Sequence, residues 1–324
     1  MSRIFLYGDW RANAGPSNVN RSFIQNCDDD LIYLKFTNKL LKAFEFLFKV
    51  LISRIIIVSG SGLVGSRFNL IRMLHKKVVY IKHGDVGFEN VINNLNLSNE
   101  SIEAHYNAMK YASKIVCVSK KYMNWVENRY PEFKNKLTYV NNGLEISPRP
   151  KCDKIPFSIA VSGGNRNIKN NSTVCKAASL LNEAGYNCKV YVFGRTYSDN
   201  ENLDVYPCVE FTGHLDKKEY YEKLDQIQLF VVDSIVEPFG LVLGDALNCR
   251  CSLLISDNVG AGGILDLQQC DTVYNPTDTD EVMDKMKYLF NNSNADRLLN
   301  SVDIEECSGR HSYLRLKEIC KECI

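Results

Sequence analysis

Apolar residues gather along this chain in two alternating ways. Short unbroken runs read as strands buried on both faces. Longer stretches, in which apolar positions return every three or four residues, read as helices. Runs at 3–8, 30–35, 55–58, 78–81, 111–120 and 137–145 predict strands, with helices predicted at 19–25, 39–52, 67–77 and 121–130. The pattern then begins again, with strands at 157–161, 189–193, 209–215, 229–233, 253–255 and 273–274, and helices at 173–184, 218–224, 241–247, 279–290 and 309–323. Strand and helix in alternation build parallel sheets covered by helices. Between the two series, residues 147–154 (SPRPKCDK) carry two prolines and several charges without periodicity, which marks a linker. A chain of 324 residues is long enough for two α/β domains of ordinary size.

Composition adds constraints rather than a function. Hydrophobic residues make up 45% and charged residues 24%, the balance of a soluble globular protein. No apolar run reaches the roughly 18–20 residues a spanning helix needs, and MSRIFLYGDW runs straight into a strand, so no secretory leader is expected. Twelve cysteines follow no disulfide framework, and Cys117, Cys188 and Cys251 sit inside apolar runs, as reduced cytoplasmic thiols do. Cys320 and Cys323 form a CxxC without a second pair or a nearby His, so no metal site is expected.

Charge changes the picture more. The net charge of +1 hides a first half (1–150) with 21 Lys and Arg against 12 Asp and Glu, and a second half with 18 against 26. The predicted helices 39–52 and 67–77 set Lys39, Lys42, Lys49, Arg67 and Arg72 among bulky apolar residues. Peripheral contact with an anionic membrane through these two segments is one expectation. Two core helices with solvated charged faces are the other. Nucleic acid is not expected as a partner, because the basic excess is dispersed and lacks interleaved stacking aromatics.

Candidate chemistry centres on residues 237–256, EPFGLVLGDALNCRCSLLIS. Pro238 and Gly240 make a turn, a short helix follows, and 253–255 form a buried strand. A helix opening at a turn offers unpaired N–H groups and a positive dipole end to a phosphate. Glu237 and Asp245 flank that opening, and acids beside an anion site are costly unless they bind hydroxyls. A phosphorylated polyol such as a nucleotide sugar answers both demands. In SGGNRNIKNN (162–171), Arg166 and Lys169 precede a helix and can neutralise a diphosphate, although a solvated basic loop has the same composition. Ahead of the first helix, the loop 9–20 carries Gly15. His83 is followed by Gly at the carboxyl end of a strand, the edge where open α/β sheets bind ligands. Asp85, Glu89 and Glu103 follow it, and nothing in the sequence chooses among them as an acceptor-side acid.

The stretch 237–256 resembles the donor-binding signature of the large family four of retaining GT-B glycosyltransferases. That signature opens with Glu-Pro-Phe-Gly and places a second Glu eight positions after the first; Asp245 stands there instead. VVYIKHG (78–84) is similar to the family strand whose His contacts the transferring sugar or its acceptor, and YASKIVCVSK and LTYVNNGLE resemble the strands that close the first domain. The resemblance implies an α/β GT-B fold, with two facing Rossmann-like doubly wound parallel-sheet domains and an interdomain cleft. It divides the chain into 1–148, 149–308 and a C-terminal helix, 309–324, packed back on the first domain. It implies a metal-independent hexosyltransferase of retaining type, with no cofactor beyond a UDP- or GDP-sugar donor, acting on a glycan or lipid-linked saccharide. His83, Arg166, Lys169 and Glu237 would carry catalysis. Gly15, Gly164, Asn165, Gly194, Phe239, Gly240, Leu241 and Asp245 would hold the donor, with the backbone of Gly213, His214 and Leu215 on its base. The motifs contain no covalent nucleophile, which fits same-face attack. The setting implied is bacterial surface polysaccharide synthesis at the inner face of the cell membrane. An idle GT-B partner subunit, or an inverting or phosphorylase-type enzyme, are the alternatives.

Overall fold

The computed structural model describes residues 3–60, 66–213 and 215–323. Residues 61–65, which in sequence read as part of a Gly-Ser turn, fall outside them, as does His214. The chain divides into two compact units, one of residues 1–88, 96–144 and 305–324, the other of 89–95 and 145–304.

The first unit runs β1 (Ile4–Gly8), α1 (Gly15–Asn26), β2 (Leu31–Tyr33), α2 (Lys39–Ile52), β3 (Ile55–Ser59), α3 (Ser66–Met73), β4 (Lys77–Lys82), α4 (Val86–Ile92), α5 (Asn99–Tyr111), β5 (Lys114–Cys117), α6 (Lys120–Arg129) and β6 (Leu137–Tyr139). Its sheet is parallel throughout, in the order β2-β1-β3-β4-β5-β6. All of IIIVS in β3 is buried, as a central parallel strand covered on both faces requires. Phe46 and Val50 of α2 and Phe68 and Ile71 of α3 pack with Phe5, Tyr7, Ile56 and Val58 on one face.

Several boundaries differ from the expected ones: the strands expected over 30–35 and 137–145 are only Leu31–Tyr33 and Leu137–Tyr139. The first helix starts at Gly15 rather than 19, because Pro16 fits the first turn, where its missing N–H costs nothing. The helix expected over 67–77 stops at Met73: His75 takes a left-handed φ of +49°, which ends the helix, and β4 has begun by Lys77. The strand expected over 111–120 is only Lys114–Cys117, since Tyr111 completes α5 and Ser119 caps α6 by accepting from the Tyr122 amide at 3.0 Å.

The second unit runs β7 (Ile155–Ser162), α7 (Asn171–Glu183), β8 (Lys189–Phe193), β9 (Val209–Gly213), α8 (Lys217–Asp225), β10 (Ile227–Val232), α9 (Val242–Asn248), β11 (Ser252–Ser256), β12 (Thr272–Val273), α10 (Thr279–Asn291) and α11 (Ala295–Ser301). Its parallel sheet has the order β12-β11-β10-β7-β8-β9, so the winding direction reverses between β7 and β10. Ligands of open α/β sheets bind outside the carboxyl ends of the strands at such a switch point. After β11, residues Gly260–Ile264 form a 3-10 turn.

α12 (Gly309–Glu322) returns to the first unit and lies on α1. Lys317 pairs with Asp28 (2.6 Å) and Asp30 (2.8 Å), and Arg310 with Asp28 (2.9 Å). Gly309 packs closely on α1: a Cβ there would lie 2.2 Å from Ser22 Oγ, so that side chain would have to move. No helix among the described residues is long and apolar enough to cross a membrane.

Candidate functional site

Because every strand of the second sheet points the same way, the loops after β7, β8, β9 and β10 all leave from one edge. Those loops carry Gly164, Asn165, Arg166, Lys169, Gly194, Gly213, Glu237, Phe239 and Gly240. At the switch point, the Gly163 and Gly164 amides both donate to the Phe193 carbonyl at 2.9 Å. A Cβ on Gly164, whose φ is +67°, would sit 1.7 Å from the Arg195 carbonyl oxygen. Gly194, at φ +116°, faces the Gly164 amide in the same contact. The two glycines therefore serve a backbone-to-backbone approach that pins the cation loop to the end of β8.

Lys169 donates from Nζ to Glu237 Oε2 in an ion pair whose two side chains are only 14% and 13% exposed. The predicted diphosphate cation and the predicted sugar-binding acid thus neutralise each other in the free protein. Both positions are fixed by backbone. Lys169 ends a 3-10 turn, Asn167–Lys169, and Arg166 Nε donates to the Gly163 carbonyl (3.2 Å) just before it. Glu237 lies in a one-residue parallel bridge with Val259, its N–H donating to Asn258 and its carbonyl accepting from Gly260 (2.9 Å). The Ala261 amide donates to the Phe239 carbonyl at 2.7 Å, so the glycine-rich turn 258–262 splints the whole Glu-Pro-Phe-Gly segment. Gly240, at φ +96°, turns the chain into α9.

Asp245 sits in the first turn of α9 and accepts from Tyr221 Oη (2.5 Å) and Tyr220 Oη (3.5 Å). Burial holds its carboxyl above the usual carboxylate range, against the pull of the Tyr221 hydroxyl. Asn165 uses its amide within the protein, donating to the Tyr197 (2.8 Å) and Glu201 (2.9 Å) carbonyls and accepting from the Tyr197 amide (2.7 Å). Its side chain thereby holds the loop 197–201.

Sequence reasoning missed two sets of residues here. Asp233 and Ser234, at the end of β10, are fully buried, and among the described residues Asp233 Oδ1 and Ser234 Oγ have no hydrogen-bond partner. Asp233 Oδ2 accepts from Asn170 Nδ2 at 2.8 Å, and burial pushes its carboxyl up to about 8. The other set is asparagines on the segment 89–95. Asn93 Oδ1 accepts from the Ile168 amide (3.0 Å), and Asn167 donates to the Ile92 carbonyl (2.8 Å). Asparagine recurring next to the cation loop was the only signal in the sequence.

In the first unit, His83 lies beyond the carboxyl end of β4, and its Nε2 is 2.8 Å from Ser59 Oγ, which also donates to Asn20 Oδ1 at 2.6 Å. These three residues belong to β3, its neighbour β4 and α1, next to the β1–β3 reversal of this sheet. Burial pushes His83 down to about 4, so the ring is neutral at physiological pH. Asp85 is taken up structurally: its carboxylate accepts from Lys82 Nζ (2.8 Å), Tyr130 Oη (3.0 Å) and the Phe88 amide (2.8 Å). Glu103 is exposed on α5. Gly15 opens α1, and a Cβ there would meet nothing within 4 Å. No group of three or more His, Cys, Asp or Glu among the described residues is placed to hold a metal ion.

Two doubly wound parallel sheets, with glycine-rich loops, a Lys–Glu pair and a buried acid on one edge of the second, define the GT-B class of fold. Residues 147–301 match the family model described as "Glycosyl transferases group 1". No curated protein sequence matches the chain significantly. Among solved structures, HepE of Anabaena, in complex with UDP and glucose, superposes with a TM-score of 0.69 at 11% identity, covering 99% of this chain and 100% of that one. An E. coli structure named "Trehalose-6-phosphate", bound with UDP-2-fluoro glucose, gives 0.69 at 12% identity with full coverage of both chains. TarM of S. aureus, in complex with fondaparinux, alpha-GlcNAc-glycerol and UDP, gives 0.62 at 13% identity over 82% of this chain. This chain spans 55% of that TarM chain.

Proposed function

We propose that this protein is a retaining glycosyltransferase that moves a sugar from a nucleotide-diphosphate donor to a hydroxyl of a glycan or lipid-linked saccharide. The observation that carries the reading is the Lys169–Glu237 pair at the β7–β10 switch point, a cation for diphosphate beside an acid for sugar hydroxyls. Arg166, Lys169 and the amides of residues 239–241 balance charge on the leaving diphosphate as the glycosidic bond breaks. Glu237 then exchanges Lys169 for donor-sugar hydroxyls, Asp245 holds the ribose, and the backbone at 213–215 holds the base. The bond from the anomeric carbon to phosphate oxygen breaks, the bond to the acceptor oxygen forms on the same face, and the acceptor proton passes to the departing phosphate oxygen. Two fixed cations do the work a metal ion does elsewhere, so the reaction is metal-independent. His83, neutral and held by Ser59, serves the sugar or its acceptor. UDP in the HepE and TarM structures supports a uridine donor. The proposed setting is bacterial surface polysaccharide assembly at the cytoplasmic face of the cell membrane, with peripheral contact through the basic first unit.

Titration calorimetry with UDP, paired with a transfer assay on UDP-sugars, tests this. Glu237→Ala should abolish transfer and keep UDP binding, whereas Lys169→Met should weaken UDP binding itself. Wild-type transfer by Glu237→Ala would overturn the assignment. The engagement of Asp245 by two tyrosines favours a second reading, an idle GT-B subunit, which failure of the wild type to bind UDP would support.

A further inference from the structure

α2 is apolar on two opposite faces. Phe46 and Val50 point into the core at 3% and 0% exposure. On the outward side Leu40, Phe44, Leu47 and Leu51 recur at i, i+4, i+7 and i+11, a single stripe, and are 72%, 71%, 40% and 55% exposed. Phe48 widens the stripe at 59%. An exposed apolar stripe of this size on a second helix face marks a surface that meets something else apolar.

The sequence around it is basic: between residues 31 and 77 there are nine Lys and Arg and a single acid, Glu45. That acid is turned inward, accepting from Lys49 Nζ at 2.6 Å and from the Lys35 and Phe36 amides at 2.9 and 3.0 Å. At the carboxyl end of α2, a cleft of about 400 Å³ is lined by Leu51, Ser53, Arg54, His75, Lys76 and Lys77. Lys76 braces it by donating to the Leu51 and Ser53 carbonyls at 2.9 Å each. Arg54, His75 and Lys77 stay exposed around it.

An exposed apolar stripe with a basic cleft at its carboxyl end complements a surface that is apolar inside and anionic at its rim. We propose that α2 lies in the interface plane of an anionic lipid bilayer, its outward stripe among the upper acyl chains, and that the Arg54–Lys77 cleft seats a lipid phosphate. This rests on the peripheral-membrane reading above and names the surface and the headgroup site that perform it.

The test uses the full chain in sedimentation with phosphatidylcholine vesicles, with and without phosphatidylglycerol. Wild type should bind only the mixed vesicles, less tightly as salt rises. Phe44→Ser/Leu51→Ser removes two exposed side chains and should weaken binding by at least about a hundredfold. Arg54→Gln/Lys77→Gln should weaken it about thirtyfold, at roughly one cation's attraction each. Circular dichroism checks that both variants keep the fold. Failure of the wild type to bind, or variants that bind as it does, would overturn the proposal. So would a wild-type dimer that Phe44→Ser/Leu51→Ser dissociates while vesicles stay unbound, since a second copy would then cover the stripe. UDP calorimetry on the same samples keeps the two readings apart: UDP binding without vesicle binding sinks this proposal alone, and the converse sinks only the donor site.

Discussion

Asp233→Asn should stabilise the second unit above pH 5, increasingly so up to pH 8. The wild-type carboxyl is fully buried, with one oxygen on Asn170 and the other without a partner. Burial raises it from 3.8 to about 8, so the native state keeps its proton across a range in which the unfolded chain has released it. Where the unfolded state binds fewer protons, stability falls as pH rises. The loss begins near pH 4 and is complete near pH 8. At about 1.4 kcal/mol per pH unit it reaches roughly 4 kcal/mol at pH 7. Asn cannot ionise, and its side-chain oxygen still accepts from Asn170. The difference between the two proteins should therefore be near zero at pH 4, grow to a melting-point gap of roughly 10 °C at pH 7, and level off above pH 8. Differential scanning calorimetry from pH 4.5 to 9 measures it. Trp10 and Trp125 both lie in the first unit, so tryptophan fluorescence would miss this transition. A difference that does not vary with pH would show that Asp233 is ionised in the native protein, and the reasoning would fail.

The first unit should show the opposite trend. His105 is buried with Nδ1 3.1 Å from Tyr80 Oη, and burial, aided by the Lys82 charge, pushes it down to about 4. Its contribution is fully present above pH 6.5 and lost as pH falls toward 4, about 3 kcal/mol in all; His83 adds the same trend, so urea titrations followed by tryptophan fluorescence should show a pH dependence that His105→Gln reduces but does not abolish. Gly164→Ala, forced into a left-handed φ with its Cβ on the Arg195 carbonyl, should cost the second unit at least about 3 kcal/mol and weaken UDP binding, whereas Gly15→Ala, whose Cβ meets nothing within 4 Å, should leave the stability of the first unit unchanged.

Much of the fold was legible because parallel strands are buried on both faces. IIIVS in β3 and SLLIS in β11 are runs with no alternation to misread. Helix ends were less legible. Nothing local in RFNLIRMLHKK says that His75 leaves the helical region, because that follows from where Lys77 must join β4 beside β3. The assignment of 89–95 to the second unit was likewise out of reach, since it depends on Asn93 meeting Ile168 across 75 residues.

The site divides along the same line. Glu237, Phe239, Gly240 and Asp245 share one local motif, so the sequence alone groups them as candidates. The Lys169–Glu237 pair joins residues 68 apart, and the Asn170–Asp233 bond residues 63 apart. Both cross between β7 and β10, strands adjacent in space with two others between them in sequence. The switch point that makes a sheet edge useful for binding is thus also what scatters its residues along the chain. Asp233 shows the consequence. In sequence it is the last residue of an apolar run, where a carboxylate reads as a solvated strand end. Only the sheet order encloses it between the Asn170 turn and the start of the Glu237 segment, turning an ordinary acid into a proton held at neutral pH.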